Sequence, residues 1–443
     1  MVIIQSHTTA ITLALETIEF YFKMKQLGNT IALLIITLAP SARLIFPEAN
    51  TLLLFGVLPV MMAYYLFKSR FRLGNQSLRY YTIMIAWMAV TTLTSVDMSN
   101  SIKEMQAVAG GLIGSIPIYY LCANGKRGVN WIMFGYILLL ASTIYYLHSE
   151  GLLISLDIDT ERLEDDMVNA NDLAYFAFYT IAAWCIIGYN LRLKWYLSIP
   201  FNLLILATVL ILSIITASRQ ILILVIPFFV YSFYFQYLQK SSWFAKICFL
   251  AIFIVVAYLA TTIYTENFYE GSFLEKRMET NIEDDTRSAL LKDAFVTGIK
   301  HPIFGVGPGN MVLYSNDGHF SHNSFLELFS TSGIFGTILF VMIIWSFLRT
   351  QIQRYRTTRN KMFQYLTITI LFWAVYNNLY VFYSGIWLIA FFFLLCGYSD
   401  MLYKSEMERL SATTCNKIEY NETTTISIYR SIPLRFSRDI LGG

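Results

Sequence analysis

The chain alternates between long apolar runs and short polar breaks. Windows of roughly 20 residues, enough to cross ~30 Å of hydrocarbon as a helix, give about twelve candidate spans. Their cores lie near 29–46, 50–67, 80–96, 105–122, 130–147, 171–190, 196–213, 218–238, 243–264, 322–348, 363–382 and 384–400. Pro40 and Arg43 make the first the weakest, and only a few residues around Tyr383 separate the last two. The pattern predicts an all-α polytopic membrane protein. Spans one to nine fall in 1–264, a long extracytoplasmic loop in 265–321, spans ten to twelve in 322–402 and a polar, loosely held cytoplasmic tail in 403–443.

Composition agrees with that pattern. Of 443 residues, 56% are hydrophobic and 14% charged, where a soluble protein would carry about 25% charged residues. The net charge of +3 matters less than where the cations fall. Lys68, Arg70, Arg72, Arg79, Lys126, Arg127, Arg192, Lys194, Lys240, Lys246 and the cations of 349–361 all occupy alternate loops. The positive-inside rule therefore predicts an even number of spans with both termini cytoplasmic. The five cysteines lie in or beside apolar runs without a CxxC. They read as packing residues, not as a disulfide framework or a thiolate metal site. No charged start followed by a small-residue cleavage site opens the chain, so no removable signal peptide is expected.

Two segments on the opposite side carry chemistry. One is the acidic stretch "DIDTERLEDDMVNANDLA" before the sixth span. The other is the 265–321 loop, which contains "DDTRSALLKDAFVTGIKHPIFGVGPGN" and ends on two histidines. Ala289, Leu290, Ala294, Phe295 and Ile299 recur at helical spacing, which predicts a short amphipathic helix followed by a Gly-rich turn.

Each candidate residue has a plain reading beside a functional one. Arg219 sits at the outward start of the eighth span and could simply snorkel to the interface. A cation at a helix N-terminus opposes the macrodipole, however, unless an anion such as phosphate is brought to it. Arg287 could pair with Glu283, Asp284 and Asp285 or bind an anion. In 301–310 three glycines and two prolines make a tight turn, Gly307 among them. Such a turn either only connects or lets backbone approach a ligand closely. Asn171 and Asp172 suit a helix N-cap and first turn, or a sugar-binding pair.

His319 and His322 could be zinc ligands with Asp317 or His301 as a third. They could equally be interfacial packing, or a general base at an extracytoplasmic mouth. Asn323 and Glu327, one turn apart, would orient such a base. Gly333 and Gly336 would let their helix pack closely on a neighbour.

"NDLA" opening a span, "SRQILIL" two spans later, and "R…HPIFGVGPGN…HNSFLELFSTSGIFG" after a long external loop together resemble the O-antigen ligase/polymerase superfamily. The matching motifs span 171–336; the "STSG" before Gly333 departs from relatives that carry an acidic residue there. The resemblance implies a GT-C-like glycosyltransferase of the inner membrane, independent of nucleotide sugars, cofactors and metals. Its donor would be an oligosaccharide on undecaprenyl diphosphate, its surroundings membrane lipid, and its partner a chain-length regulator protein, with no role for nucleic acid. Carried onto matching positions, Arg219 and Arg287 would grip the diphosphate and His322 would activate the acceptor hydroxyl. Asn171, Asp172, Asn310 and Asn323 would position sugars or support the loop. A repeat-unit polymerase is favoured over a ligase by the compact "GVGPGN" turn. A flippase would instead carry charge within several spans at mid-membrane.

Overall fold

The computed structural model describes residues 27–42, 44–151, 170–216, 221–239, 241–244, 246–248 and 286–430, with isolated positions 251, 255 and 262. Helices dominate throughout, as the apolar windows require. In chain order they are α1 (Leu27–Ala42), α2 (Glu48–Lys68), α3 (Gln76–Thr92), α4 (Met98–Ala123), α5 (Lys126–Ser149) and α6 (Ala170–Leu191). There follow α7 (Trp195–Thr216), α8 (Ile223–Leu238), α9 (Thr286–Lys300), α10 (Ser324–Thr358), α11 (Met362–Tyr376) and α12 (Ile386–Arg430). Among the described residues, seven of these are long and apolar enough to cross a membrane; α1, α8 and α11 are shorter apolar helices. The fold is that of an all-α polytopic membrane protein. The ninth apolar window, 243–264, lies mostly outside the described residues.

Caps explain where several helices begin. Asn75 accepts the Ser77 amide ahead of α3 at 2.9 Å, and Asp97 accepts the Asn100 amide ahead of α4 at 3.1 Å. Lipid tails are as apolar as the helix faces, so helix pairs here also lean on interhelical hydrogen bonds. Ser77 on α3 donates to the Ile343 carbonyl on α10 at 2.9 Å. The Tyr81 hydroxyl reaches the Tyr383 carbonyl at 2.8 Å, just ahead of α12. Between them lies an aromatic core in which Tyr136, Tyr175, Phe178, Tyr179, Trp373 and Phe391 are wholly buried.

The bundle has two chemically different ends. At one, Tyr120 near the end of α4 donates to the Arg72 carbonyl, and Tyr189 near the end of α6 bonds Asn360 at 3.1 Å. Arg354 pairs there with Asp400, which also accepts the Tyr119 hydroxyl at 2.6 Å. The loops that carry most of the basic residues thus share that end. The other end gathers the first turns of α4, α6 and α10 with the 301–323 segment.

Three elements differ from the apolar-window reading. The eleventh window runs to 382, yet its helix stops at Tyr376 and residues 377–385 form an irregular segment. Its Tyr, Val and Phe side chains are apolar enough to pass as a span although they line protein. The tail beyond Leu402 continues α12 to Arg430, because no Gly or Pro interrupts residues 398–430. Finally, α10 is broken inside its apolar run at Gly333.

Candidate functional site

The break at Gly333 organises the end that holds the histidines. Gly333 has φ 69° and ψ −170°, so the carbonyls before it and the amide after it lose helical partners. The 301–309 loop supplies replacements. The amides of Val306 and Gly307 donate to the carbonyls of Ser330 and Thr331, each at 2.9 Å, and the Ile334 amide donates to Pro302 at 2.9 Å. Trp87 Nε1 donates to the Ser332 carbonyl at 2.8 Å.

Such main-chain packing leaves no room for side chains. A Cβ on Gly305 would stand 2.2 Å from the Thr331 carbonyl carbon, and one on Gly333 would stand 2.0 Å from the Ile303 oxygen. The close approach these glycines permit is therefore to the kinked helix. Gly307 spends its amide on Thr331, so its place here is within the loop clamp.

A second set of bonds ties the loop to α4. Asn310 is fully buried and its Nδ2 donates to the Val306 carbonyl at 3.0 Å and to Ser101 Oγ at 3.3 Å. Ser101 Oγ donates to the Pro308 carbonyl at 2.8 Å, and Asn100 Nδ2 to Gly309 at 2.6 Å. These contacts of Asn310 join the loop to α4. Asn100 and Ser101 escaped the sequence reading; their signal was a polar "DMSNS" cap where the external end of a span begins.

The chain then turns through the histidines. His319 is exposed, and its main chain bonds the Ser315 hydroxyl at both amide (3.0 Å) and carbonyl (2.8 Å). His322 is half-buried with φ 54°, a left-handed conformation uncommon for a residue with a Cβ. Holding it costs of order 1–3 kcal/mol and persists only where neighbours over-determine the backbone.

Those neighbours are visible on both sides of His322. The Ser321 amide donates to Glu327 Oε2 at 2.8 Å, and Ser321 Oγ donates to the Asn323 carbonyl at 3.1 Å. Asn323 caps α10, its Oδ1 accepting the amides of Phe325 and Leu326 at 2.9 and 3.1 Å. The Ser324 amide donates to the Asn377 carbonyl at 2.7 Å, and its hydroxyl accepts the Phe382 amide at 3.0 Å. The irregular 377–385 segment is thus the strap that fixes the start of α10. The Asn323 side chain is engaged as a cap, with its Nδ2 3.4 Å from Asn378 Oδ1.

His322 faces a wall of rings. Its centroid lies 4.3 Å from Phe320 and 6.2 Å from Tyr380. Tyr380 lies 5.3 Å from Tyr175 on α6. The charges of Asp172 and Arg287, both half-buried, act on the Tyr175 hydroxyl. Tyr380 and Tyr175 thus link the His322 ring to the part of the bundle on which the charges of Asp172 and Arg287 act. Asn171 lies in the first turn of α6 beside Asp172. Arg219 lies outside the described residues.

A buried acid completes this end. Glu327 is 4% exposed. Glu104 on α4 lies within electrostatic reach of Glu327. Glu104 stands one residue before the apolar window that starts at 105, and the sequence reading passed over it. The His301 ring packs 5.9 Å from Tyr314. Among the described residues, no three His, Cys, Asp or Glu side chains group closely enough to hold a metal ion.

Residues 202–341 match the family model Wzy_C, described as O-antigen ligase. That match supports the O-antigen ligase/polymerase superfamily. No curated protein matches the chain. The matched segment holds Arg219, Arg287, Gly307, Asn310, His319, His322 and Asn323, while Asn171 and Asp172 fall before it. The Wzy_C family indicates a glycosyltransferase-like enzyme acting on lipid-linked glycans within a membrane.

Proposed function

We propose that the protein polymerises undecaprenyl-diphosphate-linked oligosaccharide repeat units into surface polysaccharide on the outer face of the cytoplasmic membrane. The observation that supports this reading is His322, held at φ 54° beside Tyr380, whose ring lies against Tyr175, on which the charges of Asp172 and Arg287 act. An acceptor sugar hydroxyl attacks the anomeric carbon of the donor glycan. The bond from that carbon to the phosphate oxygen breaks, and its electron pair leaves with the carrier diphosphate. The hydroxyl proton passes to the His322 imidazole, a group poised near neutral pH.

Arg287, joined by Arg219, stabilises the charge that develops on the diphosphate. Guanidinium forks suit that role because they bind phosphate oxygens bidentately. Cations held in place beforehand lower the barrier most where charge appears, so the step needs no metal ion. Asp172 and Asn171 contact sugar hydroxyls at the rim. Gly307, Asn310 and Asn323 act through the loop and the cap they hold, and His319, exposed at the entrance, contacts the incoming glycan. The loop side faces outward and both termini face the cytoplasm.

Within this chemistry the compact Gly305–Asn310 turn, folded down onto the bundle, supports a polymerase. The test uses purified protein in lipid bilayers with lipid-linked repeat units as sole substrate, with and without EDTA. A ladder of lengthened lipid-linked glycan in both conditions is expected. Untouched repeat units that are transferred only when lipid A core is added would show a ligase instead.

A further inference from the structure

We infer that Phe320 and Tyr380, with Tyr175 behind Tyr380, form a saccharide-stacking subsite beside His322, which seats the pyranose ring that carries the attacking hydroxyl. The inference rests on the glycosyl-transfer reading of the mouth and adds the residues that select and orient its acceptor.

Phe320, His322 and Tyr380 are each half-buried, so ring faces or edges remain open at the mouth. Phe320 and Tyr380 stand 6.1 Å apart at 81° and both flank the His322 ring. One face of a pyranose is a patch of polarised C–H groups, which suits the negative face of an aromatic ring. The sugar's hydroxyls radiate from its edge, toward the side of Tyr380 where the Tyr175 ring stands 5.3 Å away and the charges of Asp172 and Arg287 act on its hydroxyl. An isoprenoid tail would also pack on rings, but it would strip water from those charged groups and return no hydrogen bond.

A second observation is independent of the ring geometry. The Tyr175 hydroxyl is fully buried and has no hydrogen-bond partner among the described residues, and the same holds for Tyr376, whose ring lies 5.3 Å away. Buried hydroxyls nearly always find a partner, and each exception calls for an explanation. A sugar hydroxyl entering between Tyr380 and Asp172 would supply that partner to Tyr175. The stacked rings would then set which hydroxyl faces His322, which makes this subsite the determinant of linkage.

The test measures binding, separately from turnover. The probe is the oligosaccharide repeat unit released by mild acid from the source cell's own surface glycan, titrated into the purified full chain in nanodiscs. Phe320→Ala and Tyr380→Ala should each weaken its affinity by about tenfold. Tyr175→Phe should weaken it several-fold while leaving the thermal unfolding temperature unlowered, because the fold itself makes no use of that hydroxyl. Inorganic diphosphate should not displace the sugar. Wild-type affinity in all three variants, displacement by diphosphate, or no binding by the unaltered protein would each overturn the subsite. Binding as predicted by a protein that forms no polymer would instead overturn the polymerase reading and leave the subsite standing.

Discussion

The Glu327 carboxylate accepts the Ser321 amide at 2.8 Å, closing the turn that carries His322 between them. Glu327 belongs to the first turn of α10 and reaches back past the Asn323 cap. It therefore couples the direction of the His322 side chain to the helix itself. Losing the acceptor strands a buried amide, at about 1–3 kcal/mol, and frees the strained φ of His322 to relax. Glu327→Ala should lower turnover about tenfold or more at normal protein level. Glu327→Gln keeps an acceptor oxygen and should stay within about threefold of wild type. Polymer formed per unit of membrane protein is the readout. Full activity in Glu327→Ala would show that the turn needs no such tie.

The kink at Gly333 and the loop that fills it make one structural unit. Gly333→Ala places a methyl 2.0 Å from the Ile303 oxygen at a φ of 69°. It should cost at least about 2 kcal/mol and lower the unfolding temperature in detergent. Gly188→Ala, in a helix where a Cβ meets nothing within 4 Å, should be neutral or stabilising by about 0.5–1 kcal/mol. Equal unfolding temperatures for both variants would mean that the loop does not clamp the kink.

How far the sequence reached can be judged from these same residues. Apolar windows located the described helices, and the spacing of Leu290, Ala294 and Phe295 anticipated α9 over Thr286–Lys300. Asn323 and Glu327 were expected to orient His322 from one helix face; the Asn323 cap on α10 and the reach of Glu327 to the Ser321 amide were not foreseen. What hydropathy could not show was backbone that leaves the helix while staying apolar. Residues 377–385 and the Gly333 kink are both of that kind, since a window average sees side chains and not φ angles. Pairings across the chain were equally hidden. Nothing near Ser101 announces Pro308, and nothing near Trp87 announces Ser332. Gly333 read as a small residue for helix packing; the physical demand on it is a left-handed φ against another main chain.

The proposed orientation, with the histidine end outward, sets which residues an external reagent reaches. Lys300 closes α9 at the histidine end, and Arg356 lies on the basic end of α10, both exposed. In a cysteine-free background, Lys300→Cys should react with an impermeant thiol reagent added to intact cells, while Arg356→Cys should react only after permeabilisation. The reverse pattern would invert the topology and remove the donor from the side where His322 lies.

The central claim is that His322 takes the acceptor proton at this mouth, and the chain-length profile of surface glycan tests it most directly. Removing a positioned base costs ~10²–10⁴-fold, whereas losing half-buried packing mainly lowers the amount of protein. Cells carrying His322→Ala should show surface glycan of single repeat units on a gel, with the protein in the membrane at near-normal level by immunoblot. His319→Ala, on an exposed side chain, should keep a ladder. A full ladder from His322→Ala at that same protein level would contradict the account.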